Sequence, residues 1–327
     1  MNNQEIETVF LLGAGASAEY LPIANEMRDD IRSQMDKIVL KKTNSNNFLL
    51  DNVPTNTYFE FAYNHLKFLY NESYRFPTID SLAIALSLRN DQEGIRKLKY
   101  ALSLYFSLKQ HTANVDKRYL QFLPLILNGQ KINNKFRILT WNYDYQLELS
   151  LCIILNLQTY NQSKSILNLI TPPGSNSAAT KPFFFKLNGT AGFIDDFGSN
   201  FHFIKDKFTD ANDNYSLDSF IEYHNSFNNK NHQSSLNFAW EKSIKNDFLE
   251  GLNHNAKNAK NLVIIGYSFP QFNREIDKRL LNELKNTDVY IQCKNDNEEI
   301  EGLLKREFNI NRITKINQTK SFYIPRI

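Results

Sequence analysis

The stretch from Thr8 to Ala18 constrains the fold more than any other part of this chain. It reads Thr-Val-Phe-Leu-Leu-Gly-Ala-Gly-Ala-Ser-Ala, an apolar run that breaks at two glycines and continues into helix-compatible sequence. Such a run predicts a buried strand, and Gly-x-Gly-x-x-Ala is typical of a phosphate-binding turn into a helix. We expect Gly13 to take a positive φ, Gly15 to let a pyrophosphate approach the backbone, and Ala18 to allow close packing of helix and strand. The alternative is a turn of small residues that any α/β protein can contain.

The composition indicates a globular protein. A chain of 327 residues that is 42% hydrophobic can bury one large core or two smaller ones. Its 38 basic and 35 acidic residues are spread along the sequence, so we predict no direct contact with nucleic acid. The chain has two cysteines, Cys152 and Cys293. So few cysteines favour a reducing compartment and exclude a four-cysteine zinc module. We find no long apolar run and no leader-like segment, and we expect a cytoplasmic protein that does not bind membranes.

Strand-like and helix-like segments alternate along the chain, which predicts an α/β fold with a Rossmann-like parallel sheet flanked by helices. Helical spacing of apolar residues over about 41–131 predicts a helical insertion after the first strand-helix unit. We therefore expect a single domain over 1–327, with its Rossmann-like core at 1–40 and 132–327. Further strands are predicted at 136–140, 166–170, 183–187, 261–265, 289–292 and, at an edge, 322–324.

The segment after the glycines argues against a dehydrogenase. Its pattern predicts a helix from Glu19 to Met35. A dinucleotide-binding unit of the dehydrogenase kind needs a second strand there, ending in an acidic residue about twenty positions past the glycines. Asp29 and Asp30 instead fit the solvated face of the helix.

The segment 199–233 is polar and rich in asparagine, which predicts an irregular flap or insertion. It contains His202, His224 and His232, whose spacing does not match that of metal ligands. We interpret these histidines as solvated or packed side chains and predict no metal site.

Polar residues directly follow the predicted strand 136–140, in the order Trp141-Asn142-Tyr143-Asp144. Ligands of open α/β sheets bind at the carboxyl ends of strands, which makes Asn142 and Asp144 candidates for a site. The alternatives are that Asn142 closes a turn and that Asp144 caps the following helix.

Candidate site residues also directly follow two later predicted strands. Asn188-Gly189 follows the strand 183–187, although an Asn-Gly pair can also be a plain turn in which the asparagine takes a positive φ. The strand 261–265 runs into Gly266-Tyr267-Ser268-Phe269-Pro270. There the Gly266 backbone and Ser268 are placed to contact a ribose or phosphate, or simply to turn into a helix.

Taken in order, four segments resemble the SIR2-like domain proteins of bacterial immunity, distant relatives of the sirtuins. The resemblance covers roughly residues 8–280. It implies that NAD is bound as a substrate, without a metal. The residues that it implies for binding are Gly13, Ala14, Gly15, Ala16, Ser17, Asn142, Asp144, Gly266, Tyr267, Ser268 and Phe269. The segments that carry the resemblance are Gly13-Ala14-Gly15-Ala16-Ser17, Thr140-Trp141-Asn142-Tyr143-Asp144, Lys186-Leu187-Asn188-Gly189 and Ile265-Gly266-Tyr267-Ser268-Phe269-Pro270.

The resemblance implies that the protein hydrolyses NAD and so empties an infected cell of this cofactor. The catalytic residues that it implies are Asn142, Asp144 and Asn188. The family usually has histidine where this chain has Asn188, and an amide cannot act as a general base. One hypothesis is therefore a hydrolase in which Asn188 hydrogen-bonds water or ribose. The other is an inactive subunit that binds NAD or ADP-ribose as a sensor or assembly component. The resemblance also implies a homo-oligomer, or a neighbour-encoded partner such as a HerA-like ATPase or a short Argonaute.

Overall fold

The computed structural model describes residues 6–22, 26–50, 52–110, 115–171, 183–194, 200–201, 216–241, 246–284, 286–295 and 297–326. The described helices are α1 (Met27–Asn44), α2 (Asn56–Arg75), α3 (Ile79–Leu88), α4 (Gln92–Gln110), α5 (Lys117–Ile126), α6 (Gln146–Leu155), α7 (Tyr160–Leu167), α8 (Leu217–Asn228), α9 (Asn246–Ala256), α10 (Arg274–Asn282) and α11 (Asn297–Phe308). The described strands are β1 (Thr8–Leu12), β2 (Leu49–Leu50), β3 (Val53–Pro54), β4 (Leu127–Asn128), β5 (Lys131–Ile132), β6 (Phe136–Thr140), β7 (Leu169–Ile170), β8 (Phe184–Lys186), β9 (Gly189–Ile194), β10 (Asn200–Phe201), β11 (Gln233–Leu236), β12 (Asn261–Ile265), β13 (Asp288–Gln292) and β14 (Ile313–Lys315).

The chain divides into two compact units. The sheet unit comprises Met1–Tyr20, Val115–Gly189 and Ala239–Ile327, and the helical unit comprises Leu21–Asn114 and Thr190–Phe238. The helical unit overlaps the insertion predicted at about 41–131, but α5 belongs to the sheet unit. The assignment of 1–327 to a single domain stays a prediction.

A parallel sheet forms the centre of the sheet unit. Within the described residues it has seven strands, in the order β14-β13-β12-β1-β6-β8-β7. Leu12 at the end of β1 lies between Ile265 of β12 and Thr140 of β6. The predicted α/β fold with a Rossmann-like sheet flanked by helices is confirmed.

Helices cover both faces of this sheet because side chains along β1 alternate between two cores. Val9 and Leu11 belong to one core, which contains apolar residues of α9, α10 and α11. Phe10 and Leu12 belong to the other, which contains residues of α5 and α6. Both faces of β1 are thus buried, which explains why its sequence is a continuous apolar run.

Two predicted strands differ from the structure. The segment 166–170 is split, since α7 ends at Leu167 and β7 begins at Leu169, with Asn168 in the left-handed region between them. The segment 322–324 is not a strand, and β14 is the edge of the sheet instead. The Gln292 side chain accepts a hydrogen bond from the Tyr323 N–H at 2.9 Å, which ties this segment down without strand pairing.

The helix predicted from Glu19 to Met35 was placed too early. The glycines lead into a short 3₁₀ turn, Ala14–Ser17, and α1 begins at Met27. Residues 23–25 lie outside the described part of the chain. The buried face of α1 includes Met27, Ile31 and Ile38, so the apolar spacing that supports the helix extends beyond Met35.

The helical unit is built around α2, which packs on α1, α4 and α8. The irregular structure predicted for the flap or insertion at 199–233 was wrong where the structure describes it, because α8 lies there. The Ser216 side chain accepts a hydrogen bond from the Ser219 N–H at 3.3 Å to begin α8, and Phe220 and Tyr223 are buried. Residues 202–215, and His202 with them, lie outside the described residues.

None of the helices in the described part of the chain combines the length and the apolar character that crossing a bilayer requires.

Candidate functional site

The turns that follow β1 and β12 are in direct backbone contact. The Gly13 N–H donates to the Ile265 carbonyl and the Gly15 N–H donates to the Gly266 carbonyl, each at 3.0 Å. A Cβ on Gly13 would lie 2.6 Å from the Gly266 oxygen, and one on Gly15 would lie 2.7 Å from the Gly266 Cα. Neither glycine therefore leaves room for a side chain, and both amides are already used.

This contact corrects the roles predicted for the glycine turn. Gly13 has a φ of −119°, and the positive φ of +58° belongs to Gly266. The missing Cβ of Gly15 makes room for the second turn, and the approach of a pyrophosphate to Gly15 stays a prediction. Ala18 is exposed, and Ala16 is the alanine that packs into the core. Ala14 is exposed at the start of the 3₁₀ turn.

Asn142 connects the turn after β6 to the glycine turn. Its Nδ2 donates to the Gly13 carbonyl at 2.9 Å and lies 3.4 Å from Ser17 Oγ. Ser17 also hydrogen-bonds the Asp144 carboxylate, which in turn accepts from the Gln146 N–H at 3.0 Å. Ser17, Asn142 and Asp144 therefore form one buried polar cluster at the carboxyl edge of the sheet. The alternative role for Asp144, at the start of the following helix, coexists with its place in this cluster.

Asn188 lies beside this cluster, at the end of β8. Its Nδ2 donates to the Trp141 carbonyl at 3.1 Å. Its Oδ1 is buried and has no hydrogen-bond partner among the described residues. The residue as a whole is only 4% exposed, so water has little access to this oxygen. Gly189, rather than Asn188, takes the positive φ of the turn. A buried amide oxygen without a partner is costly, which makes it a candidate ligand contact.

A buried ion pair supports the turn that carries Asp144. Lys186 and Glu148 are fully buried, with their Nζ and Oε1 3.0 Å apart. Lys186 Nζ also donates to the Asp144 carbonyl, and the Tyr160 hydroxyl donates to Glu148 Oε1 at 3.2 Å. Burial raises the pKa of Asp144, while the charge of Lys186 opposes that rise. This pair was not predicted from the sequence, where its one signal is a lysine inside the aromatic strand 183–187.

The turn after β12 buries most of its side chains. Tyr267 and Phe269 pack in the core, and Ser268 is exposed. Phe269 has a φ of +54°, an unfavourable conformation for a bulky residue, and Arg274 donates to its carbonyl at 2.8 Å. Of the binding residues predicted here, Ser268 is exposed, whereas the Gly266 backbone is already used: its carbonyl accepts from the Gly15 N–H and its N–H donates to the Gln292 carbonyl, each at 3.0 Å.

A second buried network joins this turn to the one that follows β6. The Asp277 carboxylate on α10 accepts from Trp141 Nε1 at 3.2 Å and from the Tyr267 hydroxyl at 2.8 Å. Asn273 Nδ2 donates to the Tyr267 hydroxyl at 3.1 Å. The Trp141 and Tyr267 rings are stacked, with centroids 6.1 Å apart. Burial raises the pKa of Asp277 to about 7, and its hydrogen bonds and the charge of Arg274 oppose the rise.

The raised pKa predicts that Asp277 makes the protein less stable as the pH rises. Between pH 4 and 7 the unfolded chain releases the Asp277 proton while the folded protein keeps it, so the free energy of unfolding falls through this range. Asp277→Asn cannot ionise, and we expect it to be more stable than the wild type by roughly 2–4 kcal/mol at pH 8. At pH 4 that difference should be lost. Urea unfolding at both pH values measures it.

Asp288→Asn is the matched control for this prediction, because Asp288 is exposed and pairs with Arg312. The control should leave the pH dependence of stability unchanged. An equal pH dependence in the wild type and Asp277→Asn would contradict the assignment.

The fold and these residues define an open α/β protein with a polar cluster at the carboxyl edge of its central strands. Among the described residues, no three His, Cys, Asp or Glu side chains are grouped as metal ligands. No model of a known protein family matches the chain, and no curated protein matches it at a significant level.

Proposed function

We propose that this protein hydrolyses NAD, cleaving the bond between nicotinamide and ribose to release nicotinamide and ADP-ribose. The observation that carries the proposal is the buried cluster of Ser17, Asn142 and Asp144, together with Asn188 in the turn after β8, whose Oδ1 has no hydrogen-bond partner among the described residues. The resemblance of the four segments to SIR2-like proteins supports NAD as the substrate.

The strand order supports a dinucleotide at this edge. The chain passes from β1 to β6 and β8 on one side, and later returns to β12 and β13 on the other side of β1. In open α/β sheets the crevice at such a reversal is the usual ligand site. In this proposal the polar cluster contacts the nicotinamide ribose, and the turn after β12, with Ser268, contacts another part of the dinucleotide.

The proposed reaction consumes one water and releases one proton along with nicotinamide and ADP-ribose. Nicotinamide leaves as a neutral molecule, so the leaving group needs no acid, and positive charge develops on the ribose carbon. Asn142 orients the ribose, and the Asp144 carboxylate stabilises the developing charge and accepts the proton of water. Its raised pKa makes it a better proton acceptor than an ordinary aspartate. Asn188 Oδ1 accepts a hydrogen bond from water or a ribose hydroxyl.

Asn142→Ala tests this function. We expect the variant to fold and to lose nicotinamide release by about a hundredfold or more, because the ribose is no longer oriented. The measurement is nicotinamide release from NAD by the purified protein, alone and with the product of its neighbouring gene. Asn64→Ala on α2, an exposed amide, is the control and should keep full activity. Full activity in Asn142→Ala would remove that residue from the mechanism.

A second candidate function follows from Asn188 itself. Because an amide cannot take up a proton, the same polar cluster would bind NAD or ADP-ribose without turnover, as part of a sensor or assembly subunit. Tight NAD binding with less than one equivalent of nicotinamide released, under all of these conditions, favours this candidate.

The cellular setting is part of the proposal. We propose a cytoplasmic effector of antiphage defence that depletes NAD when triggered. The proposed partners are further copies of this chain or a neighbour-encoded protein such as a HerA-like ATPase or a short Argonaute. Size measurement of the purified protein, with and without that neighbour, tests the assembly.

A further inference from the structure

Asp277 lies outside the four segments that carry the resemblance, yet it joins two of them. Its two carboxylate oxygens accept hydrogen bonds from Trp141 and from Tyr267, which follow different strands of the sheet. The indole N–H can only donate, so it needs an acceptor when buried, and Asp277 supplies it. The two rings stack on each other, which fixes the planes of both side chains.

The network continues from Trp141 to the candidate catalytic amide. The Trp141 carbonyl accepts the hydrogen bond from Asn188 Nδ2 at 3.1 Å, and that bond orients Oδ1, which has no partner in the part of the chain that the structure describes. Asn142 is the next residue along the chain. A change in how Trp141 is held is therefore transmitted to both asparagines of the site.

We propose that Asp277 is a positioning residue: as a carboxylate it holds Trp141 and Tyr267 together, and through the Trp141 carbonyl it sets the orientation of Asn188. This inference rests on the proposed function for its kinetic consequence, but the link between Asp277 and Trp141 has its own readout. Asp277 touches no reacting atom in this arrangement.

The charge on Asp277 determines how firmly it holds the two rings. Hydrogen bonds to a carboxylate are roughly twice as strong as those to a neutral group, so protonation loosens the network. With its pKa raised to about 7 by burial, the carboxyl changes charge within the physiological range. Asp277→Asn has the shape and neutrality of the protonated acid, so it should behave at every pH as the wild type does at low pH. The charged and titratable groups that act on Asp277 are Tyr267 and Arg274, and Arg274 pairs with Glu307 on α11. The helix α9, which packs on α10, carries Glu250 and His254, both exposed.

Trp141 fluorescence tests the link without any enzyme assay. The chain has two tryptophans, and Trp240→Phe leaves Trp141 as the sole reporter. We expect its emission to change in one step centred near pH 7, and the step to vanish when Asp277→Asn is added. Adding Asp288→Asn instead, an exposed carboxylate, should leave the step in place. Absence of the step, or its persistence in Asp277→Asn, overturns the link and the proposal with it.

Nicotinamide release tests the kinetic consequence. We expect Asp277→Asn to lower kcat by about tenfold at pH 8, change KM by less than about threefold, and lose the rise of activity through pH 7. Unchanged kcat and an unchanged pH profile in an active protein would overturn the positioning role while leaving the proposed function standing. If the wild type releases no nicotinamide, the proposed function fails, and the fluorescence step alone decides whether Asp277 holds Trp141.

Discussion

Gly266→Ala is expected to lower the free energy of unfolding by about 5 kcal/mol, close to the whole stability of a marginal domain. Gly266 has a φ of +58°, and a Cβ there would lie 2.4 Å from the carbonyl carbon of Gly15 and 2.5 Å from its Cα. Both atoms belong to the backbone, so no side chain can move aside. The turns after β1 and β12 would have to separate, which would also displace the polar cluster.

Gly129→Ala is a matched control, because comparing it with Gly266→Ala separates the effect of backbone crowding from the effect of a positive φ. Gly129 has nearly the same φ, +61°, but a Cβ there would meet nothing within 4 Å. Gly129→Ala should lower the free energy of unfolding only by the strain of an alanine in the left-handed conformation, about 1–2 kcal/mol. Urea unfolding of the two variants against the wild type gives the comparison. Similar losses in both would mean that the two glycine turns do not touch as described.

Lys186→Met is expected to destabilise the protein by about 3–5 kcal/mol, because it leaves the Glu148 carboxylate buried without its cation. The variant also removes the donor to the Asp144 carbonyl, so the turn that carries Asp144 should loosen. Nicotinamide release, measured where the variant is still folded, should fall as well.

Adding Glu148→Gln to Lys186→Met should recover most of the lost stability. The double variant buries no unpaired charge, and the glutamine oxygen can still accept from the Tyr160 hydroxyl. Chemical unfolding of the two single variants and the double variant completes a double-mutant cycle. A double variant as unstable as the sum of the single ones would show that the two side chains are not coupled.

The sequence predicted the central strands well because their signals are local. The strands β1, β6 and β12 are five-residue runs buried along most or all of their length and followed by turn residues, and their predicted bounds match the structure. Their shared carboxyl edge follows from parallel pairing, so the meeting of Asn142 with the glycine turn could be expected before the structure. The helix α8 was missed because the asparagine-rich composition of its surroundings concealed the spacing of Phe220 and Tyr223.

The supporting residues of the site could not be predicted in the same way. Gly13 and Gly15 were interpreted as a phosphate turn, but their close partner is Gly266, a contact between segments far apart in the sequence. Asp277 lies in an amphipathic helix where a carboxylate ordinarily faces solvent, and nothing local reveals the two donors that reach it. Such contacts depend on how the helices and strands pack against one another. The spacing of residues along the chain does not reveal that packing.

The central position of β1 has a consequence for how the chain folds. Thr8 pairs with Phe136 on one side and with Asn261 on the other, so the first strand acquires its second neighbour only after about 250 further residues exist. At about 5–20 residues per second, synthesis of that length takes roughly 10–50 s. During this interval an apolar strand keeps an unpaired edge, which is a template for aggregation. Expression at a lower rate of initiation, or with added chaperone, should therefore increase the yield of folded protein.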